Sequence, residues 1–133
     1  MTDMRVLLAD DSGLILERLK EMLSIYRQVE IVGTFENGTD TLEAIRILKP
    51  DLAIVDIKMP GISGLDILKK IRKEDKTVKF IILTFYSSDY YRQMAIQNGA
   101  DYFFNKADDF DKVSLALAEM LLKEGYDNRV KMA

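Results

Sequence analysis

Short apolar runs recur along the chain and alternate with segments whose apolar residues follow helical spacing. The runs are rich in β-branched, leucine and aromatic side chains, and turn residues or charged residues bound them. Runs of this kind are typical of buried β-strands. We therefore predict five strands, over residues 6–9, 29–35, 52–55, 80–83 and 102–104.

Five helices are predicted between and after these strands, because apolar residues there lie three or four positions apart. The helical spacing runs from Ile15 to Tyr26 in the first helix, and the stripe from Val113 to Leu121 in the last is the clearest. Helix-boundary residues support the assignments: Ser12, Pro50, Ser87, Ser88, Asp89, Asn98, Gly99 and Gly125. We predict one domain over residues 1–125 and a polar C-terminal tail over residues 126–133.

Strict alternation of strands and helices predicts an α/β fold, with a doubly wound parallel sheet covered on both faces by right-handed crossovers. The first, third and fourth strands are continuously apolar, as strands buried on both faces are. The second strand carries Glu30 and Thr34 among its apolar residues. We therefore expect it at an edge of the sheet.

Composition narrows the function classes. The chain of 133 residues is 48% hydrophobic and 31% charged, which is ordinary for a globular domain. Its net charge of −3 gives no sign of a surface that binds nucleic acid or an anionic membrane. No cysteine and no histidine is present, which excludes disulfides, thiolate metal sites and imidazole catalysis. The sequence shows no signal peptide and no long apolar stretch, so we expect a cytoplasmic protein.

Polar residues follow four of the five predicted strands: Asp10 and Asp11, Asp56, Thr84, and Lys106. The carboxyl ends of parallel strands share one edge of the sheet, where α/β proteins bind ligands. Three carboxylates there favour a hard divalent cation such as Mg²⁺, and the hydroxyl and ammonium suit an anion. The set predicts a site for Mg²⁺ and a phosphoryl group, with Asp56 as the candidate nucleophile.

Each of these residues also has a simpler explanation when it is taken alone. The Asp10-Asp11 pair has the composition of a helix N-cap, and Asp56 precedes a loop of turn residues, Met59 to Gly64. Their joint placement at four separate strand ends favours the functional interpretation over these alternatives.

The chain resembles the receiver domain of two-component response regulators, in particular chemotaxis regulators, over residues 4–124. The resemblance lies in the motifs Leu7-Leu8-Ala9-Asp10-Asp11-Ser12, Asp56-Ile57-Lys58-Met59-Pro60-Gly61 with Ser63-Gly64, Ile82-Leu83-Thr84, and Gly99-Ala100-Asp101 followed by Lys106. It implies a flavodoxin-like three-layer sandwich with strand order 2-1-3-4-5. Chemotaxis receivers are a well-known example of that order, so the order is carried over from the family and does not follow from the residues alone.

The resemblance also implies a role for each site residue. Asp56 is the expected phosphoacceptor, assisted by Thr84 and Lys106. The expected Mg²⁺ ligands are Asp11 directly, Asp10 through water, Asp56, and the backbone carbonyl of Lys58. Thr84 and Phe103 form the expected switch pair, although a plain core aromatic explains Phe103 equally well. Strand alternation places Tyr102 on the opposite face of the sheet.

Three departures from the family pattern accompany these motifs. Lys106 precedes Ala107 where the family has a proline with a cis peptide, so this loop is expected to be either trans or strained. Phe85 follows Thr84 where a small residue is usual, and its ring is expected to hinder small phosphodonors. Phe103 stands where tyrosine is more common, and so it has no hydroxyl to stabilise an inward ring.

The expected function is a switch, and not a turnover enzyme. The phosphodonor would be a phosphohistidine on a sensor histidine kinase or a histidine phosphotransfer protein. The output partner is unknown and would contact the face of the fourth helix, fifth strand and fifth helix; no membrane or direct nucleic-acid contact is expected. Three alternatives stay open: a phosphatase of the haloacid-dehalogenase type, a phosphate-independent module, and a receiver cut from a longer regulator.

Overall fold

The computed structural model describes residues 3–132, so Met1, Thr2 and Ala133, at the ends of the predicted domain and tail, lie outside the described residues. Strands and helices alternate throughout, as the sequence predicts. The strands are β1 (Met4–Ala9), β2 (Val29–Phe35), β3 (Leu52–Val55), β4 (Lys79–Thr84) and β5 (Tyr102–Asn105). The helices are α1 (Gly13–Leu23), α2 (Gly38–Leu48), α3 (Gly64–Glu74), α4 (Asp89–Gln97) and α5 (Lys112–Lys123).

The five strands form one parallel sheet in the order β2-β1-β3-β4-β5. This confirms the α/β doubly wound fold and the order that the family resemblance implies. It also confirms that β2 lies at an edge. The apolar strands β1, β3 and most of β4 are buried along their length, because helices cover both faces of the sheet.

Alternating side chains divide the core between the two faces of the sheet. On one face Val6 and Leu8 pack with residues of α1 and α5, and on the other Leu7 and Ala9 pack with residues of α2 and α3. The same alternation separates Tyr102, which packs against the α1 and α5 side, from Phe103, which is buried on the opposite face. The predicted division of these two rings is confirmed.

Four helices begin at a side chain that accepts a hydrogen bond from the first turn: Ser12, Asn37, Ser63 and Ser88. Such N-caps satisfy backbone amides that have no partner within the helix. Three of these caps stand on the loops that form the carboxyl edge of the sheet around Asp11, Asp56 and Thr84. The caps therefore hold the loops that carry the candidate site.

The first helix is shorter than its apolar spacing suggests. It ends at Leu23, and Tyr26 lies beyond it. The Tyr26 hydroxyl is 2.6 Å from the Ser114 Oγ on α5, so its burial reflects packing between elements and not a position on the helix.

Residues 126–132, predicted as a polar tail, lie against the loop between α1 and β2. The Arg27 amide donates to the Arg129 carbonyl at 3.0 Å, and the Lys131 amide donates to the Ile25 carbonyl at 2.5 Å. Tyr26 and Val130 form an antiparallel bridge between these bonds. This pairing lies near the amino-terminal end of β2, away from the residues that follow β1, β3 and β4.

Among residues 3–132 no helix combines the length and apolarity that a membrane crossing requires.

Candidate functional site

The polar residues at the strand ends come together at the carboxyl edge of the sheet. Asp10 follows β1, Asp56 follows β3, Thr84 is the last residue of β4, and Lys106 follows β5. Backbone hydrogen bonds continue the sheet past the ends of the strands: the Asp56 amide donates to the Ala9 carbonyl and the Lys106 amide to the Thr84 carbonyl, both at 3.0 Å. The sheet thus holds the backbone of Asp56 and of Lys106 in place.

Three carboxylates form the acidic part of this edge. One oxygen from each of Asp10, Asp11 and Asp56 lies within 4.8 Å of the others. Asp10 and Asp56 are buried, whereas Asp11 is exposed. The Asp10 Oδ1 accepts from the Ser12 amide at 2.9 Å, and the Asp56 Oδ1 accepts from the Ile57 amide at 2.7 Å. Both buried carboxylates are therefore held in fixed orientations.

The Lys106 ammonium lies between the two buried carboxylates. Its Nζ is 2.5 Å from the Asp10 Oδ2 and 2.7 Å from the Asp56 Oδ2. Burial raises the pKa of Asp10, against the lowering effect of its hydrogen bonds to Lys106 and Ser12. Burial by itself would lower the pKa of Lys106, but its hydrogen bonds to Asp10 and Asp56 raise it above its usual value. Lys106 is therefore charged at neutral pH.

One ammonium does not neutralise three carboxylates, and with all four groups ionised two negative charges remain in the cluster. The donor atoms are carboxylate oxygens, which suit a hard divalent cation. A single Mg²⁺ would balance the excess charge, so the residues present fit a magnesium ion. Lys58 lies two residues beyond Asp56 and lines the same pocket, where its carbonyl is the further ligand expected from the sequence.

Aromatic and charged side chains line the pocket beside Asp56. Phe85 and Tyr86 line it together with Asp56, Lys58 and Lys106. The Lys58 ammonium lies 5.3 Å from the centroid of the Tyr86 ring, and the Lys106 ammonium lies 5.1 Å from that of Phe85. Cations at these distances are attracted to the faces of aromatic rings. The Phe85 ring, 60% exposed, thus stands beside the buried ion pair.

The expected switch pair occupies adjacent strands. Thr84 is fully buried, and its Oγ1 accepts from the Tyr86 amide at 3.2 Å. Phe103 is 4% exposed and belongs to the core on the α2 and α3 side. Its ring therefore points inward. Burial agrees both with a switch residue in its inward orientation and with a core aromatic, so the switch role stays a prediction.

A family profile described as the response regulator receiver domain matches residues 6–118. The chain belongs to this receiver domain family. This membership favours the receiver interpretation over the dehalogenase-type alternative, and it agrees with the order of strands and with the residues gathered at the carboxyl edge of the sheet.

Two curated relatives illustrate the range of proteins that contain a similar receiver domain. The response regulator GacA of Pseudomonas aeruginosa is 29% identical over 92% of this chain and 57% of its own length. A protein-glutamate methylesterase/protein-glutamine glutaminase of Carboxydothermus hydrogenoformans is 35% identical over 91% of this chain and 36% of its own length. The chain thus spans about half the length, or less, of the curated relatives it matches.

Solved structures share the fold of this receiver domain over nearly their whole length. The response regulator domain of CheB from Thermotoga maritima gives a TM-score of 0.80 at 28% identity, over 91% of this chain and 95% of that one. A DNA-binding response regulator of the LuxR family from Staphylococcus aureus gives 0.81 at 26% identity, over 87% and 97%.

The peptide that links Lys106 to Ala107 in this receiver domain is trans, since residues 3–132 contain no cis peptide bond. In the absence of the proline, the side chain of Asn105 stabilises this loop. Its Oδ1 accepts from the Ala107 amide at 2.7 Å and from the Asp108 amide at 3.2 Å. This is the local hydrogen bonding by which asparagine stabilises turns.

Asn105 also joins the two loops that flank the site. Its Nδ2 donates to the Ser87 Oγ at 2.5 Å, which connects the residue before Lys106 to the loop after Thr84. Sequence reasoning missed this residue. The available signal was an asparagine directly before Lys106 in a loop that lacks the proline after it, because asparagine is a strong turn former.

Proposed function

We propose that Asp56 accepts a phosphoryl group from a phosphohistidine of a sensor histidine kinase or a histidine phosphotransfer protein. The observation that carries the proposal is the fixed, buried Asp56 carboxylate: the Ile57 amide orients its Oδ1, and the Lys106 ammonium contacts its Oδ2. It also lines an open pocket that a donor can enter. The chain has no histidine, so the phosphohistidine belongs to the partner.

Asp10, Asp11, Asp56 and the Lys58 carbonyl would hold Mg²⁺ in this site. When bound, the ion supplies positive charge that balances the acidic cluster and the phosphoryl oxygens. The charge excess of the three carboxylates supports this assignment.

Asp56, Lys106 and Thr84 would each have a different role in the phosphoryl transfer. A carboxylate oxygen of Asp56 attacks the phosphorus, the new O–P bond forms, and the P–N bond of the donor breaks with its electron pair left on the histidine nitrogen. The Lys106 ammonium neutralises charge on a phosphoryl oxygen. The Thr84 hydroxyl donates a hydrogen bond to another oxygen after it turns toward the site. Such transfers depend mainly on positioning and charge neutralisation, which Lys106 and Thr84 would supply.

The resulting aspartyl phosphate would act through a conformational equilibrium. When Thr84 moves toward the phosphoryl group, Phe103 is favoured in its inward position, and the surface of α4, β5 and α5 changes for a partner. Tyr90 on this surface is 66% exposed and is available for contact. The chain would act in the cytoplasm as a switch that assists its own phosphorylation and dephosphorylation, without direct contact to nucleic acid.

Intact-mass spectrometry after incubation with acetyl phosphate or phosphoramidate tests this function. With Mg²⁺, the protein is expected to gain the mass of one phosphoryl group, which hydroxylamine removes; with EDTA it should gain none. Asp11→Ala should need a higher Mg²⁺ concentration for the same labelling, by about tenfold, because one carboxylate ligand is worth a kcal/mol or more at such a site. No labelling from either donor in Mg²⁺ would contradict the proposal.

Phe85→Ala is expected to raise the rate of phosphorylation by acetyl phosphate roughly threefold, equivalent to under ~1 kcal/mol of barrier. The reason is the position of the Phe85 ring at the pocket beside the Lys106 ammonium. The rate is measured by the same mass assay. Tyr90→Ala, which removes a similarly exposed ring from α4, serves as the control and should not change the rate. Equal rates for Phe85→Ala and the parent would refute a hindering role for the ring.

Asn105→Ala is expected to slow phosphorylation about tenfold, or ~1.4 kcal/mol in barrier, because Lys106 loses the turn that positions it. Rates and melting temperatures are measured together. The control is Asn98→Ala, which removes a side-chain amide that donates to the Met94 carbonyl at the far end of α4. If both variants lose stability equally and neither changes in rate, Asn105 only stabilises the fold.

A further inference from the structure

Arg92 of α4 covers the buried ring of Phe103. Its guanidinium carbon lies 4.7 Å from the centroid of the ring, and its Nη1 donates to the Phe103 carbonyl at 3.3 Å. One side chain thus contacts both the ring and the backbone of the same residue. Within residues 3–132 the structure shows no ion pair for Arg92, so the two contacts to Phe103 are not accompanied by a competing salt bridge.

The position of β5 makes these contacts important. β5 is the edge strand that pairs with β4 on one side only, and α4 packs against it. The Phe103 carbonyl therefore finds its partner in α4, since no further strand lies on that side. A planar guanidinium above an aromatic face adds a cation–π attraction.

We propose that Arg92 is a positioning residue that holds Phe103 in its inward orientation and so biases the switch toward the phosphorylated state. The proposal rests on the proposed function, in which the inward ring and the occupied phosphoryl site favour each other. The guanidinium lies over the ring of a residue that is 4% exposed. Outward rotation of the ring breaks the stacking contact that holds it inward.

The phosphoryl site and the Phe103 ring must influence each other equally, and this determines whether loss of Arg92 weakens or tightens binding at the site. If an inward ring favours the occupied site, then a residue that stabilises the inward ring must tighten binding of a phosphoryl group or its mimic. Loss of Arg92 should weaken that binding by the amount by which it shifts the ring equilibrium. A residue with a purely structural role would lower stability and leave this affinity unchanged.

The test is a titration of the full chain with beryllofluoride, a phosphoryl mimic, in the presence of Mg²⁺. Binding is followed by the backbone amide resonances of Asp56 and Thr84, and the ring position by the aromatic carbon resonances of Phe103. Arg92→Ala is expected to weaken beryllofluoride binding about fivefold, which is ~1 kcal/mol at 1.4 kcal/mol per factor of ten. Arg92→Lys, which keeps the charge without the planar stack, should recover part of that affinity.

Arg72→Ala is the matched control. Arg72 stacks on Phe80 with its guanidinium carbon 5.2 Å from the ring centroid and donates to the Gly99 carbonyl. It also pairs with Asp101 at 3.3 Å, so its loss removes at least as many contacts as the loss of Arg92, but from the end of the sheet away from the site. We expect a lower melting temperature with unchanged beryllofluoride affinity.

The outcomes separate this inference from the proposed function. If the parent protein does not bind beryllofluoride, the proposed function fails. If the parent binds and Arg92→Ala binds equally well or more tightly, the role of Arg92 is refuted while the proposed function stands. If Arg72→Ala weakens binding as much as Arg92→Ala, the effect comes from general destabilisation and the inference fails.

Discussion

Asp56→Asn is expected to abolish labelling by acetyl phosphate, with a loss of at least about a hundredfold, because the variant lacks the attacking carboxylate. The fold should survive the change. An asparagine Oδ1 can still accept from the Ile57 amide, as the Asp56 Oδ1 does at 2.7 Å. One of the two buried carboxylates that share Lys106 is removed, so the repulsion between them disappears. Labelling is measured by intact mass and folding by the melting temperature.

The matched control is Asp66→Asn, which replaces an exposed aspartate of α3 close to the site in sequence. It should label at the parental rate. Peptide mapping of the borohydride-reduced parent should place the modification at Asp56. Labelling of Asp56→Asn at the parental rate, or modification mapped to Asp10 or Asp11, would contradict the assignment of the phosphoacceptor.

Much of this site could be predicted because strand ends are visible in the sequence. A continuous apolar run such as Leu52–Val55 is buried on both faces, and it stops where the chain reaches the edge of the sheet. Parallel topology then brings the residue after each run to the same edge. Asp10, Asp56, Thr84 and Lys106 could therefore be grouped without any knowledge of distances.

Contacts that depend on how elements pack could not be predicted in the same way. Periodicity places Arg92 on α4 and Phe103 on β5, but only the angle between these elements and the side-chain rotamers bring them together. Asn105 likewise joins Ser87 from another loop. The sequence predicts the polar tail but not its pairing, for a different reason. Residues 126–132 pair mainly through backbone amides and carbonyls, and polar side chains leave no periodic signal for such pairing.

The residues between Asp56 and α3 predict a turn, but they do not predict how tightly it packs. Gly64 begins α3, and its amide donates to the Ile57 carbonyl at 2.9 Å. A Cβ on Gly64 would lie 2.0 Å from the Asp56 carbonyl oxygen and 2.8 Å from its carbonyl carbon. Both are backbone atoms of the proposed phosphoacceptor, so a side chain at this position forces the backbones of Gly64 and Asp56 apart.

Gly64→Ala is therefore expected to destabilise the fold by about 3 kcal/mol, which lowers the melting temperature by roughly 10 °C for a domain of this size. Labelling of the folded fraction should also slow, because the Asp56 backbone moves relative to Lys106. Thermal unfolding and the mass assay, the latter at a temperature where the variant is folded, measure the two effects.

Gly13→Ala is the control variant, because it also replaces a glycine near the carboxyl edge of the sheet with alanine. Its Cβ would approach no atom closer than the Glu36 Oε1 at 4.0 Å. Gly13 is the first residue of α1, where alanine fits the backbone and stabilises by about 0.4–1 kcal/mol, because it restricts the unfolded chain. The two variants should thus shift the melting temperature in opposite directions. The contrary result is a Gly64→Ala protein that melts within about 2 °C of the parent and is labelled at the parental rate. It would show that the Asp56 backbone can move without cost. This loop would then not hold the nucleophile rigidly.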